Sequence, residues 1–454
     1  MALEIFNTMG RKKEKFSSTK GKQVKMFVCG PTVYDYSHIG HAKTYVQFDV
    51  IVRYLRYLGL DVFYLQNITD LDDKIIQRSK ELGIAPKDLA TKMEKEYHQD
   101  MKRLDVTSVT KYERATDFIE PILKQVKTLL DKGFAYEIGD GIYFNLLKFK
   151  DYGKLSGRKS LEAEDAVSRI DENVDKKNKG DFCLWKKSKP DEPKWDSPFG
   201  FAGRPGWHIE DTAITESQFG PQYDIHGGAR DLIFPHHEAE IAQMEAASGK
   251  KPFVKYWMHT GFLTVNGQKM SKSLGNFVTI RDAIKDWTTK ELRFWFISTH
   301  YRSPIDYSPS NLQSARNSLE RLNEFMRNVR EGEDKFDKSM IEETRKKFAD
   351  AMNDDFDTPK ALAVIFDFMR RVNQKGGGKK AYDLMMEFDE VFRILSVKDE
   401  DKIPSEVEVL AAEREIAKKK KDFKKADEIR ENIRSLGFAI EDAGKSYRIK
   451  KIRK

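Results

Sequence analysis

Apolar and polar positions near the start of the chain follow the order of a strand, a helix and a second strand. Residues 26–29 and residues 61–66 form apolar runs, and a long amphipathic helical pattern lies between them. Such a unit within about forty residues indicates a parallel sheet, whose ligands bind at the carboxyl ends of its strands. We therefore predict that the first half of the chain has an α/β fold.

The pattern changes twice further along the chain. Residues 116–200 are less regular and contain the proline-rich segment KSKPDEPKWDSP, which is typical of a connection or insertion. From about residue 310 long helical patterns follow, with Thr358 as a predicted N-cap before Pro359 and KGGGKK at 375–380 as a predicted flexible break. The second half is thus predicted to be helical.

Composition fits a folded protein of several domains. The 454 residues are 39% hydrophobic, no apolar run approaches a membrane span, and the first residues lack the apolar core of a signal peptide. We expect a cytoplasmic enzyme or binding protein without a membrane segment. Cys29 and Cys183 are the two cysteines, which excludes a disulfide framework and suits a reducing compartment.

The net charge of +8 is concentrated at the end of the chain. Residues 418–454 contain fourteen lysines and arginines against six acidic residues, an excess equal to that of the whole chain. Two interpretations stay open on the residues alone. The basic segment either binds a polyanionic partner or forms a solvated helix face and tail.

The segment SHIGHAKT follows the first predicted strand and begins the predicted helix. A helix start offers backbone N–H groups and a positive dipole end to a phosphate, and His38 and His41 can add hydrogen bonds to developing charge. Gly40 allows a flat nucleotide to approach the backbone closely. The alternative is a capped helix with surface histidines.

The segment NGQKMSKSLGN is a polar loop with flanking glycines. Lys269 and Lys272, with Ser271 between them, can close over a polyphosphate and neutralise charge as pyrophosphate leaves. Loops rich in lysine and serine are common in other roles, so this segment gains weight from its occurrence together with the histidine motif.

A third segment, FPHHEAEIA, carries two histidines and two carboxylates. In a helix His236 and Glu240 share one face, whereas His237 and Glu238 point elsewhere. The pair on the shared face predicts either two metal ligands or a hydrogen-bonded surface pair.

The first two motifs resemble the HIGH and KMSKS signatures of class I aminoacyl-tRNA synthetases. That resemblance implies ATP with Mg²⁺ as a substrate, attack by an amino-acid carboxylate on the α-phosphate, and transfer of the aminoacyl group to the tRNA 3′ end. The resemblance to cysteinyl-tRNA synthetases extends from about residue 3 to the final YRIKKIRK. It is carried by FVCGPTVYDYSHIGHAKT, NITDLDDKII, GRPGWHIE, DIHGGARDLIFPHHEAEIAQ and HTGFLTVNGQKMSKSLGN.

In that family a zinc ion binds the substrate thiolate, which zinc favours over the hydroxyl of serine. Carried over to this chain, the resemblance implies that Cys29, His236 and Glu240 bind one Zn²⁺. Asp211 stands where the family pattern has a cysteine. We predict that Asp211 is the fourth ligand. The alternative is a carboxylate that holds a ligand or the substrate amine from beside the metal.

Other residues near these motifs receive weaker interpretations. We interpret Cys183 as a small buried hydrophobic residue rather than the missing thiol ligand. His237 and Glu238 are predicted to face away from the metal. The acidic run Asp70, Asp72 and Asp73 is interpreted as a helix cap with solvated acids rather than a magnesium site.

The resemblance also implies a pocket for L-cysteine, although each of its residues has a packing role as the alternative. Trp207 and His226 are expected to close this pocket and to donate hydrogen bonds. The predicted pocket residues are Gly30, Thr32, Thr69, Trp207 and His226.

The pattern and the resemblance together predict an α/β protein with a Rossmann-type parallel-sheet catalytic domain, a connective insertion, an α-helical bundle and a small C-terminal domain. The catalytic domain is predicted at residues 1–115 and 201–310, with the connective subdomain at 116–200. The tRNA stem-binding bundle is predicted at 311–400 and the basic anticodon-binding domain at 401–454.

The predicted partners are L-cysteine, ATP and tRNA(Cys), whose phosphates would account for the basic excess. Base reading is assigned to a few residues such as Tyr447 and Arg448, and a monomer is expected by family analogy. Two other functions remain. A ligase that couples activated cysteine to a small amine would not need the basic tail, and a non-catalytic tRNA-binding paralogue would not need intact motif residues.

Overall fold

The computed structural model describes residues 2–158, 175–272, 274–330, 332–396, 404–443 and 446–451. The chain divides into two compact units, Met1–Leu395 and Ser396–Lys454. Part of the predicted connective subdomain, residues 159–174, lies outside the described residues. Among the helices of the described ranges, none has the apolar length needed to cross a membrane.

The elements are numbered in chain order. The strands are β1 Glu4–Asn7, β2 Lys12–Lys15, β3 Gln23–Val28, β4 Asp61–Ile68, β5 Lys111–Arg114, β6 Ala135–Ile138, β7 Gly141–Phe144, β8 Phe182–Lys187, β9 Gly203–Pro205, β10 Tyr223–Ala229, β11 Val254–Thr260, β12 Leu263–Val265, β13 Gln268–Lys269, β14 Ile305–Tyr307, β15 Phe438–Ala443 and β16 Ser446–Lys451. The α-helices are α1 Ile39–Tyr57, α2 Asp73–Leu82, α3 Pro86–Arg103, α4 Ile119–Asp131, α5 Ile209–Phe219, α6 His236–Ser248, α7 Ile280–Asp286, α8 Thr289–Ile297, α9 Pro309–Arg330, α10 Lys338–Asn353, α11 Thr358–Lys375, α12 Lys379–Phe392, α13 Ser405–Lys419 and α14 Phe423–Ser435.

The larger unit is built around a parallel sheet with strand order β11, β10, β3, β4, β5. Strand β3 is central, and Met26, Phe27 and Val28 are fully buried, as expected when both faces of a sheet are covered. The chain adds β4 and β5 on one side of β3 and later adds β10 and β11 on the other. Such a change of direction leaves a crevice beyond the carboxyl ends of β3 and β10. The predicted βαβ unit and α/β class are confirmed.

A second sheet, antiparallel and ordered β6, β7, β8, β9, lies in the chain between β5 and β10. Phe144 on β7 and Phe182 on β8 stack with ring centroids 5.0 Å apart, and both belong to the hydrophobic cluster that includes Cys29. Cys183 packs instead with Tyr136 and Tyr143 in a separate small cluster. Its interpretation as a buried hydrophobic residue is confirmed.

A small sheet ordered β13, β12, β14 follows the last strand of the parallel sheet. Val265 pairs with Gln268, so a two-residue turn of Asn266 and Gly267 joins β12 to β13. Both turn residues have positive φ, 50° and 74°, which is the backbone that an Asn-Gly hairpin turn requires. The KMSKS motif therefore begins on a hairpin, with Lys269 at the end of β13.

Helices α9 to α12 form the region after the catalytic motifs, and Phe348 of α10 stacks on Phe388 of α12 at 4.1 Å. The predicted N-cap of α11 is wrong by one residue. The side chain of Asp357 accepts a hydrogen bond from the Lys360 amide, whereas the Thr358 hydroxyl donates to the Ile297 carbonyl at 2.7 Å. A short acceptor at position 357 caps the helix, which frees Thr358 to make a tertiary contact.

The C-terminal unit has its own core. Helices α13 and α14 pack on the antiparallel pair of β15 and β16. Six side chains form this core, Val407, Ala411, Ile429, Ile433, Phe438 and Ile440. Tyr447 lies on β16 and is half-buried against it. The side chain of Arg448, the other predicted base reader, lies outside the described part of the structure.

Candidate metal centre and nucleotide site

Four buried side chains meet beyond the carboxyl end of β3. Cys29 directly follows β3, Asp211 lies in the first turn of α5, and His236 and Glu240 lie on the first turns of α6. One ligand atom from each of the four lies within 4.8 Å of the others. The structure thus brings together the four residues that the sequence predicts as metal ligands.

Individual distances in this cluster suit a shared cation. His236 Nε2 lies 3.0 Å from Asp211 Oδ2 and 3.0 Å from Glu240 Oε1. Glu240 Oε2 lies 3.3 Å from His226 Nε2, yet neither Glu240 oxygen accepts an aligned hydrogen bond from the described residues. A buried carboxylate usually accepts several hydrogen bonds, so these two oxygens fit metal binding.

The prediction that His237 faces away from the metal is wrong. Its Nε2 lies 3.2 Å from Cys29 Sγ, and His226 Nε2 lies 3.3 Å from the same sulfur. The two imidazoles that contact this sulfur thus come from different elements, His237 from α6 and His226 from β10. Cys29, His226, His237 and Glu240 consequently form a second set that overlaps the first.

Glu238 does point elsewhere, as predicted. Its carboxylate accepts hydrogen bonds from the amides of Leu155 and Ser156, at 3.1 and 2.8 Å. It ties α6 to the segment between β7 and β8 of the connective sheet and has a structural role.

Further hydrogen bonds hold the rings and carboxylates of the cluster in place. Asn67 Nδ2 donates to Asp211 Oδ1 at 2.6 Å, and Tyr223 OH lies 2.7 Å from His226 Nδ1. Orientation of a ligand through its second polar atom is the usual arrangement around protein metals. Two histidines that the sequence analysis left unassigned take part, His208 at 2.8 Å from His236 Nδ1 and His259 at 2.8 Å from His237 Nδ1.

The electrostatics of the cluster also favour a bound cation. Burial, followed by the charges of Glu240 and Asp211, raises the pKa of the Cys29 thiol. Burial likewise raises the pKa of Glu240. Burial lowers the pKa of His236, but the two carboxylates outweigh it and the pKa rises. Loss of a proton from Cys29 or Glu240 in this cluster therefore needs added positive charge, which a divalent metal would supply.

The HIGH motif forms the beginning of α1. His38 is the N-cap, and its Nδ1 accepts hydrogen bonds from the amides of Gly40 and His41 at 3.1 and 3.3 Å. A Cβ atom on residue 40 would lie 2.9 Å from the His38 ring, so Gly40 is required for this capping contact. The neutral His38 ring therefore carries its hydrogen on Nε2, on the side away from the helix.

Both motif histidines are neutral near pH 7. Burial, assisted by the charge of Lys272, lowers the pKa of His38 to about 4. Burial, followed by the charge of His38, also lowers the pKa of His41. The two rings stack with centroids 3.8 Å apart, and His41 stacks on Tyr45 at 6.1 Å. These rings are arranged as hydrogen-bond donors rather than as cations.

Main-chain contacts join the KMSKS segment to the HIGH motif. The Ile39 amide donates to the Val278 carbonyl at 3.1 Å, and the Ile280 amide donates to Ser37 at 2.9 Å. Lys272 pairs with Asp35, and its ammonium group lies 5.2 Å from the centre of the Phe277 ring. The two predicted nucleotide motifs thus lie side by side.

The two lysines of the KMSKS segment are exposed, whereas Met270 and Ser271 between them are half-buried. Lys269 is exposed at the end of β13, and the Ser271 amide donates to Asn276 Oδ1 at 2.9 Å. Ser273, the last residue of the motif, lies outside the described residues.

The predicted cysteine-pocket residues surround the same crevice. A Cβ on Gly30 would lie 1.7 Å from the Asn67 carbonyl oxygen, so glycine is required there for packing. Thr32 and Thr69 form an isolated bridge between the segments after β3 and β4. The Trp207 ring lies 4.7 Å from the His236 ring and is 39% exposed, at the mouth of the crevice.

Sequence reasoning missed a buried carboxylate in this pocket. Glu210 accepts a hydrogen bond from Thr69 Oγ1 at 2.7 Å, and burial raises its pKa. Its position directly before Asp211 was the available signal. The acidic run after Thr69 contains the predicted helix cap, but its carboxylates are half-buried rather than solvated: Asp72 caps α2, Asp70 accepts from Thr116, and Asp73 pairs with Arg204 and Lys186.

Comparisons with known proteins agree with this geometry. The model of the tRNA synthetases class I (C) catalytic domain matches residues 15–317, more than half of the chain. The DALR domain matches residues 347–397, and the cysteinyl-tRNA ligase anticodon binding domain matches residues 400–448.

Curated relatives match over nearly their whole length. The cysteine–tRNA ligase of Thermococcus onnurineus is 45% identical over 97% of this chain and 98% of its own length. The cysteine–tRNA ligase of Heliobacterium modesticaldum is 43% identical over 99% of this chain and 100% of its own length.

Solved structures show the same fold at low identity. Methionyl-tRNA synthetase of Mycobacterium tuberculosis, in complex with methionyl-adenylate, superposes with a TM-score of 0.60 at 16% identity, over 78% of this chain and 83% of that chain. The class I architecture, with its Rossmann-type parallel sheet and helical C-terminal region, is confirmed. The chain belongs to the cysteine–tRNA ligase family of class I aminoacyl-tRNA synthetases.

Proposed function

We propose that this enzyme activates L-cysteine with ATP and transfers the cysteinyl group to the 3′ end of tRNA(Cys). The observation that carries the proposal is the buried cluster of Cys29, Asp211, His236 and Glu240 beside the HIGH helix. Tyr45 connects the two sites, because its hydroxyl donates to the Cys29 carbonyl at 3.3 Å while its ring stacks on His41. Amino acid and nucleotide would therefore share one crevice.

Zn²⁺ is the metal that this donor set suits. Cys29, Asp211, His236 and Glu240 would hold it, with one sulfur, one nitrogen and two oxygen donors. When bound, zinc coordinates the thiolate of cysteine and favours it over the hydroxyl of serine. Asp211 makes the site richer in oxygen than a site with a second cysteine, and Asn67 fixes the orientation of that carboxylate.

The remaining pocket residues orient the substrate. We assign L-cysteine binding to Gly30, Thr32, Thr69, Trp207 and His226. The backbone bridge between Thr32 and Thr69 gives the pocket a rigid floor, and the exposed Trp207 can close over its mouth. A buried carboxylate such as Glu210, one hydrogen bond away from Thr69, suits the positive amino group of an amino acid.

ATP with Mg²⁺ is assigned to the HIGH and KMSKS residues. His38 Nε2–H and His41 donate to the phosphates, and Gly40 leaves room at the helix start. Lys269 and Lys272, with Ser271, close over the departing pyrophosphate once Lys272 exchanges Asp35 for phosphate. Attack by the cysteine carboxylate on the α-phosphorus forms cysteinyl-adenylate and releases pyrophosphate, and the tRNA 3′ hydroxyl then displaces AMP.

The tRNA is assigned to the second half of the chain. We keep the domain limits 116–200, 311–400 and 401–454 as proposals, with the stem on the helical bundle and the anticodon on the basic C-terminal domain. Lysines and arginines contact phosphates, while Tyr447 and Arg448 read bases. A monomer in the cytoplasm is the proposed state.

Cysteine-dependent exchange of radiolabelled pyrophosphate into ATP tests the proposal, followed by acceptor assays with tRNA(Cys) and with small amines. We expect exchange that requires cysteine, little exchange with serine, and transfer to tRNA. Transfer to an amine alone would identify a small-molecule ligase instead. Absence of exchange would leave only a tRNA-binding role.

A further inference from the structure

Lys43 is a buried lysine on the HIGH helix, and burial lowers its pKa to about 7. It lies two residues after His41, and its side chain is 1% exposed. Its Nζ donates to Gln47 Oε1 at 3.0 Å, to the Gly261 carbonyl at 2.8 Å and to the Tyr301 carbonyl at 3.3 Å. These three acceptors are neutral and satisfy the three hydrogens of the ammonium group. Burying an amine that needs several polar partners costs more than burying an apolar side chain of the same length, so stability alone does not account for a lysine at this position.

The two carbonyls mark the base of the KMSKS hairpin. Gly261 lies between β11 and β12, where the chain leaves the parallel sheet to form the hairpin. Tyr301 lies between α8 and β14, where the chain returns to pair with β12. The Gly261 amide donates to the Tyr301 carbonyl at 2.8 Å, so the exit and the return are bonded to each other. Lys43 donates a hydrogen bond to a carbonyl on each of these two segments.

The return segment is itself firmly anchored. The Tyr301 hydroxyl donates to Asp355 Oδ1 at 2.7 Å, and Asp355 also accepts from Arg302 Nε at 2.7 Å and from the Phe6 amide at 2.8 Å. Asp355 is fully buried. A Cβ on Gly261 would lie 2.3 Å from the Ser303 carbonyl oxygen, which leaves little room for the exit to shift. The length and the hydrogen bonds of the Lys43 side chain therefore set where the hairpin starts relative to α1.

We propose that Lys43 is a positioning residue for adenylate formation, which fixes the base of the KMSKS hairpin against the helix that carries the HIGH histidines. The inference rests on the proposed role of Lys269 and Lys272 at pyrophosphate. Lys43 touches no substrate. It determines the point from which the hairpin closes, and a small displacement there is transmitted to Lys269 at the end of β13 and to Lys272 in the loop that follows.

Three variants test this role. Lys43→Met keeps the length and apolar stem but removes the donors, and Lys43→Arg restores donors. Tyr54→Phe is the matched control, because Tyr54 lies on the same helix and its buried hydroxyl donates to Asn353 Oδ1 at 2.8 Å, away from the hairpin. Measurements are kcat and KM of the exchange reaction, single-turnover transfer from isolated cysteinyl-adenylate to tRNA(Cys), and thermal unfolding.

We expect Lys43→Met to lower kcat of exchange about 100-fold, as for a misplacement of about 1 Å. The KM for cysteine and the rate of transfer should stay within about twofold, and Lys43→Arg should recover at least about tenfold of the loss. Tyr54→Phe should lower the unfolding temperature while kcat stays near that of the wild type. If Lys43→Met does not fold, Lys43→Gln, which keeps two N–H donors, replaces it with the same order expected.

Two results would overturn the inference. One is a kcat for the folded Lys43 variant within about twofold of the wild type, and the other is an equal loss in exchange and in transfer, as general damage would give. Failure of the proposed function is distinguishable, because the wild-type enzyme would then lack cysteine-dependent exchange before any variant is compared.

Discussion

The metal centre and the KMSKS segment occupy the same end of the parallel sheet, yet they are built in opposite ways. Cys29, Asp211, His236 and Glu240 are buried on a strand end and on the first turns of two helices. Lys272 projects from a loop, its side chain is 53% exposed, and it pairs with Asp35 at the surface. One region is held in place by buried hydrogen bonds, and the other carries its lysine at the solvent-exposed surface.

This difference follows the two tasks proposed for the crevice. Choosing a thiol over a hydroxyl requires donors at fixed positions, because metal preference depends on the identity and geometry of the ligands. Neutralising a departing pyrophosphate requires charge that arrives with the nucleotide and withdraws afterwards, which a rigid buried lysine would not allow. Substitutions in the two regions should accordingly change different measured quantities.

The largest effect is expected at the rigid region. Cys29→Ala removes the sulfur donor, so zinc measured by mass spectrometry of the purified enzyme should fall to a small fraction of the wild-type content. Exchange should fall by about a thousandfold, equivalent to about 4 kcal/mol of barrier. Cys183→Ala is the control, because that cysteine lies in a separate cluster with Tyr136 and Tyr143 and should keep zinc and activity. Normal zinc content in Cys29→Ala would remove Cys29 from the metal site.

In the KMSKS segment, Lys272→Met should lower kcat of exchange about 100-fold, as expected when one donor to developing charge is removed. Zinc content and KM for cysteine should not change, because Lys272 lies outside the buried cluster. Lys285→Met serves as the control, since Lys285 is an exposed lysine paired with Asp282 within α7. An equal loss of activity in both variants would reject the proposed contact between Lys272 and pyrophosphate.

The next prediction concerns Asp211, whose hard carboxylate oxygen stands where the family pattern has the soft sulfur of a cysteine. Asp211→Ala should weaken zinc binding by more than the roughly 10–100-fold that is typical of a residue which only orients a ligand, and Asp211→Cys should keep activity. Competition with a chromogenic chelator measures the affinity. Unchanged affinity in Asp211→Ala would reject direct ligation.

A second variant decides between the two overlapping ligand sets. His237→Gln keeps a polar side chain but removes the imidazole that lies 3.2 Å from Cys29 Sγ. Under our assignment it should retain zinc and raise KM for cysteine. Loss of zinc in His237→Gln with retention in Asp211→Ala would instead place the metal among Cys29, His226, His237 and Glu240.

The sequence predicted most of the metal centre and part of the KMSKS segment. The βαβ pattern located β3, α1 and β4, and the spacing of His236 and Glu240 on one helix face is as expected. The approach of Asp211 to Cys29 required the family resemblance, because no local period relates residues this far apart in the chain.

What the sequence did not reveal depends on tertiary geometry. His237 of α6 meets His226 of β10 at the sulfur of Cys29, and helical spacing within α6 does not predict that meeting, so His237 was misplaced. The predicted flexible break at KGGGKK contains a close approach instead. A Cβ on Gly378 would lie 2.2 Å from the Gly332 carbonyl oxygen, and the Gly378 amide donates to Asp334 at 2.7 Å. Glycine there permits packing between distant segments, and the composition of a short run does not distinguish packing from flexibility.

The smallest expected effect concerns His38, which has both a structural role in the helix and a proposed role at the nucleotide. Its Nδ1 caps α1 while its Nε2–H is free for phosphate, so the two roles belong to different atoms of one ring. An asparagine can still accept from the helix amides but cannot reach as far, whereas alanine does neither. The free energy of unfolding of His38→Asn should therefore lie within about 0.5 kcal/mol of the wild-type value, and that of His38→Ala about 1 kcal/mol below it. Urea titration measures both. Because burial and Lys272 hold the pKa of His38 at about 4, the ring stays neutral as pH rises from 6 to 8, and this difference should not change over that interval. Both variants should lose exchange to a similar extent. A variant that restored the cap and also restored exchange would show that His38 acts through the helix alone, with no contact to the nucleotide.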